Sequence, residues 1–265
     1  MIIPPLKGNL AQSGFFLYAA GDQEYFKDFG PALIRSVQTN TAHGLHLHLY
    51  NPTAEQIQYC RSQSRVSVTF EEVPLNLFDA AAAPWQNPPA DPVLNDRYKR
   101  IHTAMKKGKD VSVQQRIQRT YFACARFIRL AQLMQPMDCV FAMDIDALVR
   151  SPIPMMSTLS DFGIRHIEGK KARFLAGGIF LPGTNLGYQF LQNYSAELAQ
   201  AIEHDQIHWG IDQDVLDHIV PNYRWSQLPT ELIDWEMQPH SCVWTAKGTR
   251  KELEIFVNEK QKYTV

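Results

Sequence analysis

The sequence predicts an α/β domain with a mainly parallel central sheet flanked by helices, and three observations lead there. Short apolar runs alternate with helical patterns through the first half of the chain. The run from Cys139 to Met143 is apolar throughout and delivers the chain into Asp144-Ile145-Asp146. Finally, 265 residues that are 45% hydrophobic and 20% charged suit one large domain with a sizeable core and no disordered composition.

The elements follow in order. Phe15 to Ala20 is a short apolar, aromatic run ending at Gly21, as a buried strand entering a loop does. From Tyr25 to Val37, Phe26, Phe29, Leu33 and Val37 recur at helical spacing, and Gly30-Pro31 predicts a break or a fresh start inside that helix. Leu45 to Tyr50 is a second strand, with His46 and His48 alternating with leucines. Pro52 to Cys60 reads as a helix and Arg65 to Val73 as a third strand.

Ala80 to Pro92 is proline-rich and, with the polar stretch to Lys109, predicts a long irregular connection, either a lid or an elaborated loop. Gln114 to Met134 is a helix, because Ile117, Tyr121, Cys124, Ile128 and Ala131 recur at spacings of four and three, and Pro136 stops it. After the Cys139–Met143 strand come Phe174 to Leu181, a strand interrupted by Gly177-Gly178, and a short amphipathic helix from Val215 to Val220. A glycine-centred basic turn, Thr245 to Lys251, leads into a charged helix. No internal repeat is visible.

Lys and Arg total 26 against 27 Asp and Glu, so a net charge of -1 gives no global field to draw in nucleic acid or an acidic membrane. Any anion is bound locally. Cys60, Cys124, Cys139 and Cys242 lie far apart with no Cys-x-x-Cys spacing, which predicts reduced core residues and a cytoplasmic protein, or one peripheral to a membrane. No stretch approaches the roughly 20 apolar residues of a membrane span.

In an extended segment residues i and i+2 share a side, so Asp144 and Asp146 would present two carboxylates together while Ile145 faces away. Two nearby carboxylates repel, and a hard divalent cation relieves the repulsion while leaving positions for diphosphate oxygens. Solvated loop aspartates are the plain alternative, disfavoured by the buried strand before them. Arg119 and Arg126, seven apart on one helix face, are candidates for a phosphate or ribose, with Arg116 and Arg129 as a solvent-facing basic stripe. Asp212 either caps the helix that follows or meets a sugar hydroxyl. The turn around Gly248 either holds a diphosphate on its N-H groups and lysines, Lys247 and Lys251, or is only solvated.

With these segments in order, the chain resembles the GT-A glycosyltransferases from Phe15 to about Lys251, most closely the family 8 type of retaining enzymes, which includes galactosyltransferases and glycogenin-like proteins. The block Tyr121 to Arg150, an arginine-bearing helix followed by Asp-x-Asp, carries the resemblance best. It implies one Rossmann-like domain over 1–265, nucleotide-sugar-binding at 11–150 and acceptor-binding and catalytic at 151–265. It also implies a nucleotide-sugar donor, with UDP as the expected carrier, and a glycan, lipid or protein acceptor.

By the same resemblance, Arg126 and Asp144-Ile145-Asp146 contact the donor, and the two aspartates hold Mn2+ or Mg2+. Tyr18-Ala19-Ala20-Gly21-Asp22 is similar to the family's loop for base and ribose. Ala176-Gly177-Gly178 sits where an Asn-Ala-Gly turn lies beside the donor sugar, and Asp212-Gln213 matches the Asp-Gln pair near the reacting carbon. Gly248 and Lys251 match a His-x-x-Gly-x-x-Lys element that embraces the diphosphate. Three positions depart from the pattern: Gly21 replaces an acidic residue that reads the base, Ala176 replaces the asparagine, and Thr245 replaces the third metal ligand, for which His240 is a substitute five residues away. Metal affinity without donor is therefore expected to be low.

Two other readings stay open. An apolar strand followed by Asp-x-Asp also opens the haloacid-dehalogenase phosphotransferases, although there the motif sits on the first strand. A GT-A-like protein that binds nucleotide sugar or glycan without turnover is suggested by Ala176 and Thr245.

Overall fold

The structure is a computed structural model, and it describes residues 1, 3–10, 12–103, 112–154, 161–168, 173–204, 208–246 and 248–264. Its first half comprises β1 (Lys7–Gly8), β2 (Phe15–Asp22), α1 (Gln23–Asn40), β3 (Gly44–Tyr50), α2 (Ala54–Ser62), β4 (Val66–Glu71), α3 (Asn76–Ala82), α4 (Pro92–Thr103), α5 (Val113–Leu133) and β5 (Cys139–Met143), in which the alternation from β2 to β4 and the α5–β5 pair are as predicted and β1, α3 and α4 are not. The second half contributes β6 (Ala147–Val149), β7 (Phe162–Ile167), β8 (Arg173–Leu181), α6 (Asn185–Glu203), α7 (Ile211–Ile219), β9 (Trp225–Gln227), β10 (Ile233–Asp234), β11 (Val243–Thr245) and α8 (Glu254–Gln261).

The main sheet has the order β1-β4-β3-β2-β5-β8-β7-β9. Strands β4, β3, β2 and β5 run parallel, whereas β8 is antiparallel to β5 and β7 antiparallel to β8. The parallel half is buried on both faces. Leu17, Ala19, Leu45, Leu47, Phe141 and Met143 pack on Leu33, Ile34 and Val37 of α1. From the opposite face Phe16, Tyr18, Tyr50 and Val140 meet Ile117, Tyr121, Cys124 and Phe127 of α5. Each Leu, Ile, Val, Phe or Met among them, taken out of water, contributes about 1.5–3 kcal/mol.

Three expectations are corrected here. Helix α1 runs unbroken through Gly30-Pro31. An interior proline costs about 3 kcal/mol, which the burial of Leu33, Ile34 and Val37 outweighs, and a Cβ at Gly30 would collide with the Phe26 ring. The proline-rich connection is largely helical: α3, a 3-10 turn over Ala83–Trp85, and α4. Pro84 and Pro92 stand at helix starts, where no N-H is needed, and Pro88-Pro89 lie in the irregular stretch between; Pro92 opens α4, and Asp91 Oδ1 accepts from the Val93 and Leu94 amides. The end of that connection, through Lys109, lies outside the described residues. Helix α7 begins four residues before Val215, with Gly210 at φ +86° as its N-cap, so Asp212 lies in the first turn and does not cap it.

His46 and His48 are fully buried on β3. The two ring nitrogens of His46 meet Ser67 Oγ at 2.7 Å and Thr69 Oγ1 at 2.9 Å. Burial, with the neighbouring His48, pushes His46 down to about 3. Above pH 6.5 the ring is neutral in both folded and unfolded chains. Below it the unfolded chain takes up a proton that the folded one refuses, so this contribution to stability falls as the pH drops from 6.5 toward 3, by about 1.4 kcal/mol per pH unit. Urea unfolding at pH 7 and pH 5 should show His46→Gln losing about 2 kcal/mol less than the parent over that interval; an unchanged pH slope would refute the assignment.

All four cysteines are free, Cys60 and Cys124 buried and Cys139 and Cys242 partly exposed. Among the described residues no helix is long and apolar enough to cross a membrane.

Candidate functional site

Most of the residues singled out from the sequence, Arg126, Asp144, Asp146, Asp212 and Lys251 among them, converge at the carboxyl ends of β2 and β5, where open α/β sheets place their ligands. Strand β5 ends at Met143, and the chain then makes a turn closed by the Ala147 amide donating to the Asp144 carbonyl at 3.1 Å. Asp144 and Asp146 are brought together by this turn and not by strand alternation, which corrects the expected reason for their pairing. Ile145, 3% exposed, packs inward on Gly21, where a Cβ would stand 2.8 Å from Ile145 Cδ1. That contact explains why no acidic side chain occupies position 21.

Arg126, projecting from α5, organises the cluster. One guanidinium nitrogen binds Asp144 Oδ1; the other donates to the Ala176 carbonyl at 3.1 Å and lies 3.7 Å from Asp212 Oδ2. Burial disfavours its charge, but Asp144 and Asp212 outweigh burial and hold it above the usual guanidinium range. Tyr18, buried in β2, donates its hydroxyl to the Arg126 carbonyl at 2.7 Å and so ties the helix to the sheet at this point. Ala19 lies in the core beneath α1, Ala20 at the end of the strand is half-buried, and Asp22 caps α1 by accepting from the Tyr25 amide at 2.8 Å.

Strand β8 is continuous, and its pairing explains the glycines. Ile164 pairs with Ile179 and Arg165 with Leu175, so Ala176, Gly177 and Gly178 form the bulge between them. A Cβ on Gly177 would stand 2.7 Å from Asp144 Oδ2, and one on Gly178 would stand 2.7 Å from Ile233 Cδ1. Gly177 therefore keeps space open at the first carboxylate. From α7, Asp212 is 7% exposed, and its backbone carbonyl accepts from the Tyr194 hydroxyl at 2.9 Å. Gln213 Oε1 is buried with no hydrogen-bond partner among the described residues.

The second carboxylate meets the C-terminal turn. Lys251 Nζ is 2.6 Å from Asp146 Oδ2 and donates to the Tyr25 hydroxyl at 2.9 Å. It also lies 4.2 Å from the Tyr25 ring centre and 5.2 Å from that of Phe29. Burial works against its charge, yet Asp146 and Tyr25 raise its pKa above the usual lysine value. Thr245 Oγ1 approaches Asp146 Oδ1 at 3.5 Å. Burial, then the charge of Asp144, pushes Asp146 up to about 6 against the pull of Lys251. Gly248 turns the chain at φ +66°; Lys247 lies outside the described residues.

Several arginines and His240 fall elsewhere. Arg119 is exposed. Arg129 and Arg116 are buried, not a solvated stripe, and Arg129 is paired with Glu71 in the core. His240 is exposed, beyond the end of the β6–β11 ladder where Val149 faces Val243, and near Arg150, which bonds the Pro239 carbonyl. Among the described residues it forms no group with Asp144 and Asp146 that could hold a metal. Sequence reasoning passed over a neighbouring triad, Arg173, Asp214 and His208, in which Asp214 is 3.3 Å from Arg173 and 2.9 Å from His208. The three are separated in sequence and carry no local pattern. A hollow of about 610 Å3 near Gln12, Leu133 and Asp138 lies at the opposite, amino ends of the strands.

Among the described residues no group of three His, Cys, Asp or Glu could hold a metal. The donor set is two carboxylates with the Thr245 hydroxyl nearby, and the missing Cβ of Gly177 leaves room beside Asp144. That set fits a small hard cation which completes its shell with diphosphate oxygens and water, and does not fit an ion caged by protein alone.

No protein-family model and no curated protein sequence matches this chain. Solved structures similar to it include the galactosyltransferase LgtC in complex with donor and acceptor sugar analogs, at 13% identity and TM-score 0.53 over 94% of this chain and 96% of that one. The glycosyltransferase GlyE of Streptococcus pneumoniae TIGR4 is similar at 11% identity and TM-score 0.55, over 92% of this chain and 60% of that one. The bifunctional glycosyltransferase WbbM is similar at 13% identity and TM-score 0.53, over 94% of this chain and 50% of that one. This chain thus spans half of WbbM and 60% of GlyE.

Proposed function

From the GT-A glycosyltransferase fold that this chain has, we propose that it transfers a sugar from a nucleotide-sugar donor, a UDP-sugar, to a glycan, lipid or protein acceptor with retention of configuration. The observation that carries the reading is Arg126, which joins Asp144, the Ala176 carbonyl and Asp212 at the carboxyl end of the parallel strands. A nucleotide-sugar donor needs those three neighbourhoods together: one for its diphosphate, one for its sugar and one for the reacting carbon. The haloacid-dehalogenase alternative loses its basis, since the Asp pair follows β5 in a different fold. The free cysteines support a cytoplasmic placement within this proposal.

The chemistry centres on the leaving nucleoside diphosphate, whose developing charge is the main electrostatic demand. Mn2+ or Mg2+ bound by Asp144 and Asp146 would supply Lewis-acid stabilisation of that charge. Lys251 supplies a second positive charge beside Asp146, and Arg126 fixes Asp144 in position. Asp212 and Gln213 orient the sugar; the unsatisfied Gln213 Oε1 is an acceptor that a sugar hydroxyl would complete. A retaining transfer on the leaving-group face requires no separate protein base, and proton NMR of fresh product would expose an inverted anomeric centre if that is wrong.

Ala176 and Thr245 favour a second reading, in which the chain binds a nucleotide sugar without turnover. One assay separates the two. The protein is incubated with UDP-, GDP- and other nucleotide sugars and Mn2+, and free nucleotide is followed, with binding measured alongside. Release from one donor supports the transferase; binding without release, even with candidate acceptors added, supports the lapsed form. No affinity for any donor would sink both.

A further inference from the structure

The second carboxylate of the pair does not wait open for a metal; the chain's own ammonium already sits on it. Lys251 is held in a built cation seat made by Asp146 Oδ2 at 2.6 Å, the Tyr25 hydroxyl at 2.9 Å and the faces of the Tyr25 and Phe29 rings. Asp144 likewise carries Arg126. An ion entering the empty protein must break the Lys251–Asp146 pair and leave the ammonium without its carboxylate in a site where Asp146 is 6% exposed.

We infer that Lys251 acts as a placeholder cation which makes metal and donor binding one coupled event: the ion takes Asp146 only when a diphosphate is there to receive the displaced ammonium. The inference rests on the proposed donor class and adds a regulatory device to the same site. Charge supports it. Counting only these described side chains, Asp144, Asp146 and Asp212 against Arg126 and Lys251 come to one unit negative. A divalent ion alone would make it one unit positive, and a diphosphate diester alone, with one negative charge on each phosphate, would make it three units negative. Arriving together, they leave it unchanged. Thr245 strengthens the coupling, because a hydroxyl at 3.5 Å from Asp146 offers the lone ion little in exchange.

The consequence is reciprocal, as linkage demands: whatever factor the diphosphate adds to metal affinity, the metal adds to diphosphate affinity. Titration calorimetry of the full chain with MnCl2 alone, UDP alone, and each in the presence of the other measures that factor directly. For the parent protein Mn2+ alone should bind weakly and UDP should tighten it by about 10-fold or more. In Lys251→Met, Mn2+ alone should bind about 10-fold more tightly than to the parent, while UDP with Mn2+ weakens and the mutual factor shrinks. Where circular dichroism shows Lys251→Met unfolded, Tyr25→Phe takes its place; loss of the hydroxyl anchor should shift Mn2+ affinity in the same direction by about 2- to 3-fold.

A folded Lys251→Met or Tyr25→Phe whose empty form binds Mn2+ no better than the parent would overturn the placeholder. That result needs no donor. Failure of UDP and of every other nucleotide to bind instead counts against the proposed function and leaves the Mn2+ comparison standing.

Discussion

On the proposed function, Asp146→Asn is expected to lower sugar transfer about 100- to 1,000-fold, with a loss of folding stability from the unpaired Lys251 that relief of the Asp144 repulsion offsets in part. The substitution keeps volume and removes only the charge that pairs with Lys251 and that the proposed metal would use. Asp146 is a costly group to keep ionised, since burial and Asp144 push it up to about 6, so its neutralisation relieves repulsion as well as breaking an ion pair. Those effects oppose each other in stability. They do not oppose each other in catalysis, where no neutral amide replaces the lost negative charge. Initial rates at saturating Mn2+ with the donor identified by the panel, beside thermal melts, test this; a variant keeping more than a tenth of the parent rate would remove Asp146 from the machinery.

Arg126→Met should reduce transfer more than 100-fold and also destabilise the fold by about 3 kcal/mol, the lower end for breaking a buried pair. Its guanidinium satisfies Asp144, the Ala176 carbonyl and Asp212 together. The side chain of Asp144 is one third exposed and that of Asp212 only 10% exposed, so the loss of the arginine's positive charge is screened by water more at Asp144 than at Asp212. Arg126→Lys restores one charge without the planar fork, and should recover part of the stability but little of the transfer. Urea unfolding and steady-state rates on the same preparations separate the two effects. Equal recovery of both would mean that the arginine serves only to hold the fold.

What the sequence made legible was the part governed by short-range pattern. The apolar Cys139–Met143 run, the spacing of Ile117, Tyr121, Cys124 and Ile128, and the alternation on either side of Gly21 all reflect burial periods, and each corresponds to an element of the structure. Prolines misled where tertiary burial or helix-start geometry absorbed them, at Pro31, Pro84 and Pro92. Helix α6 was missed although Phe190, Leu191, Tyr194, Leu198 and Ile202 carry a helical spacing and Thr184 caps it. The small sheet of β10, β11 and β6 was not readable, because two- and three-residue strands have no period of their own. That blindness extended to the site, since the same sheet carries His240 away from Asp146 and brings Thr245 toward it.

The pairing of β6 with β11 also sets a clock. Ala147 finds its partner only at Thr245, and Asp146 meets Lys251 still later in the chain. At about 5–20 residues per second of synthesis, the second carboxylate emerges roughly 5 to 20 s before the lysine that pairs with it. Until then Asp146 lacks its lysine beside an incomplete sheet, and the contacts that finish it span long loops, whose closure is entropically slow. The parallel half can assemble while translation continues. On the proposed function, the site would be completed only when the C-terminal turn brings Lys251 to Tyr25 and Phe29.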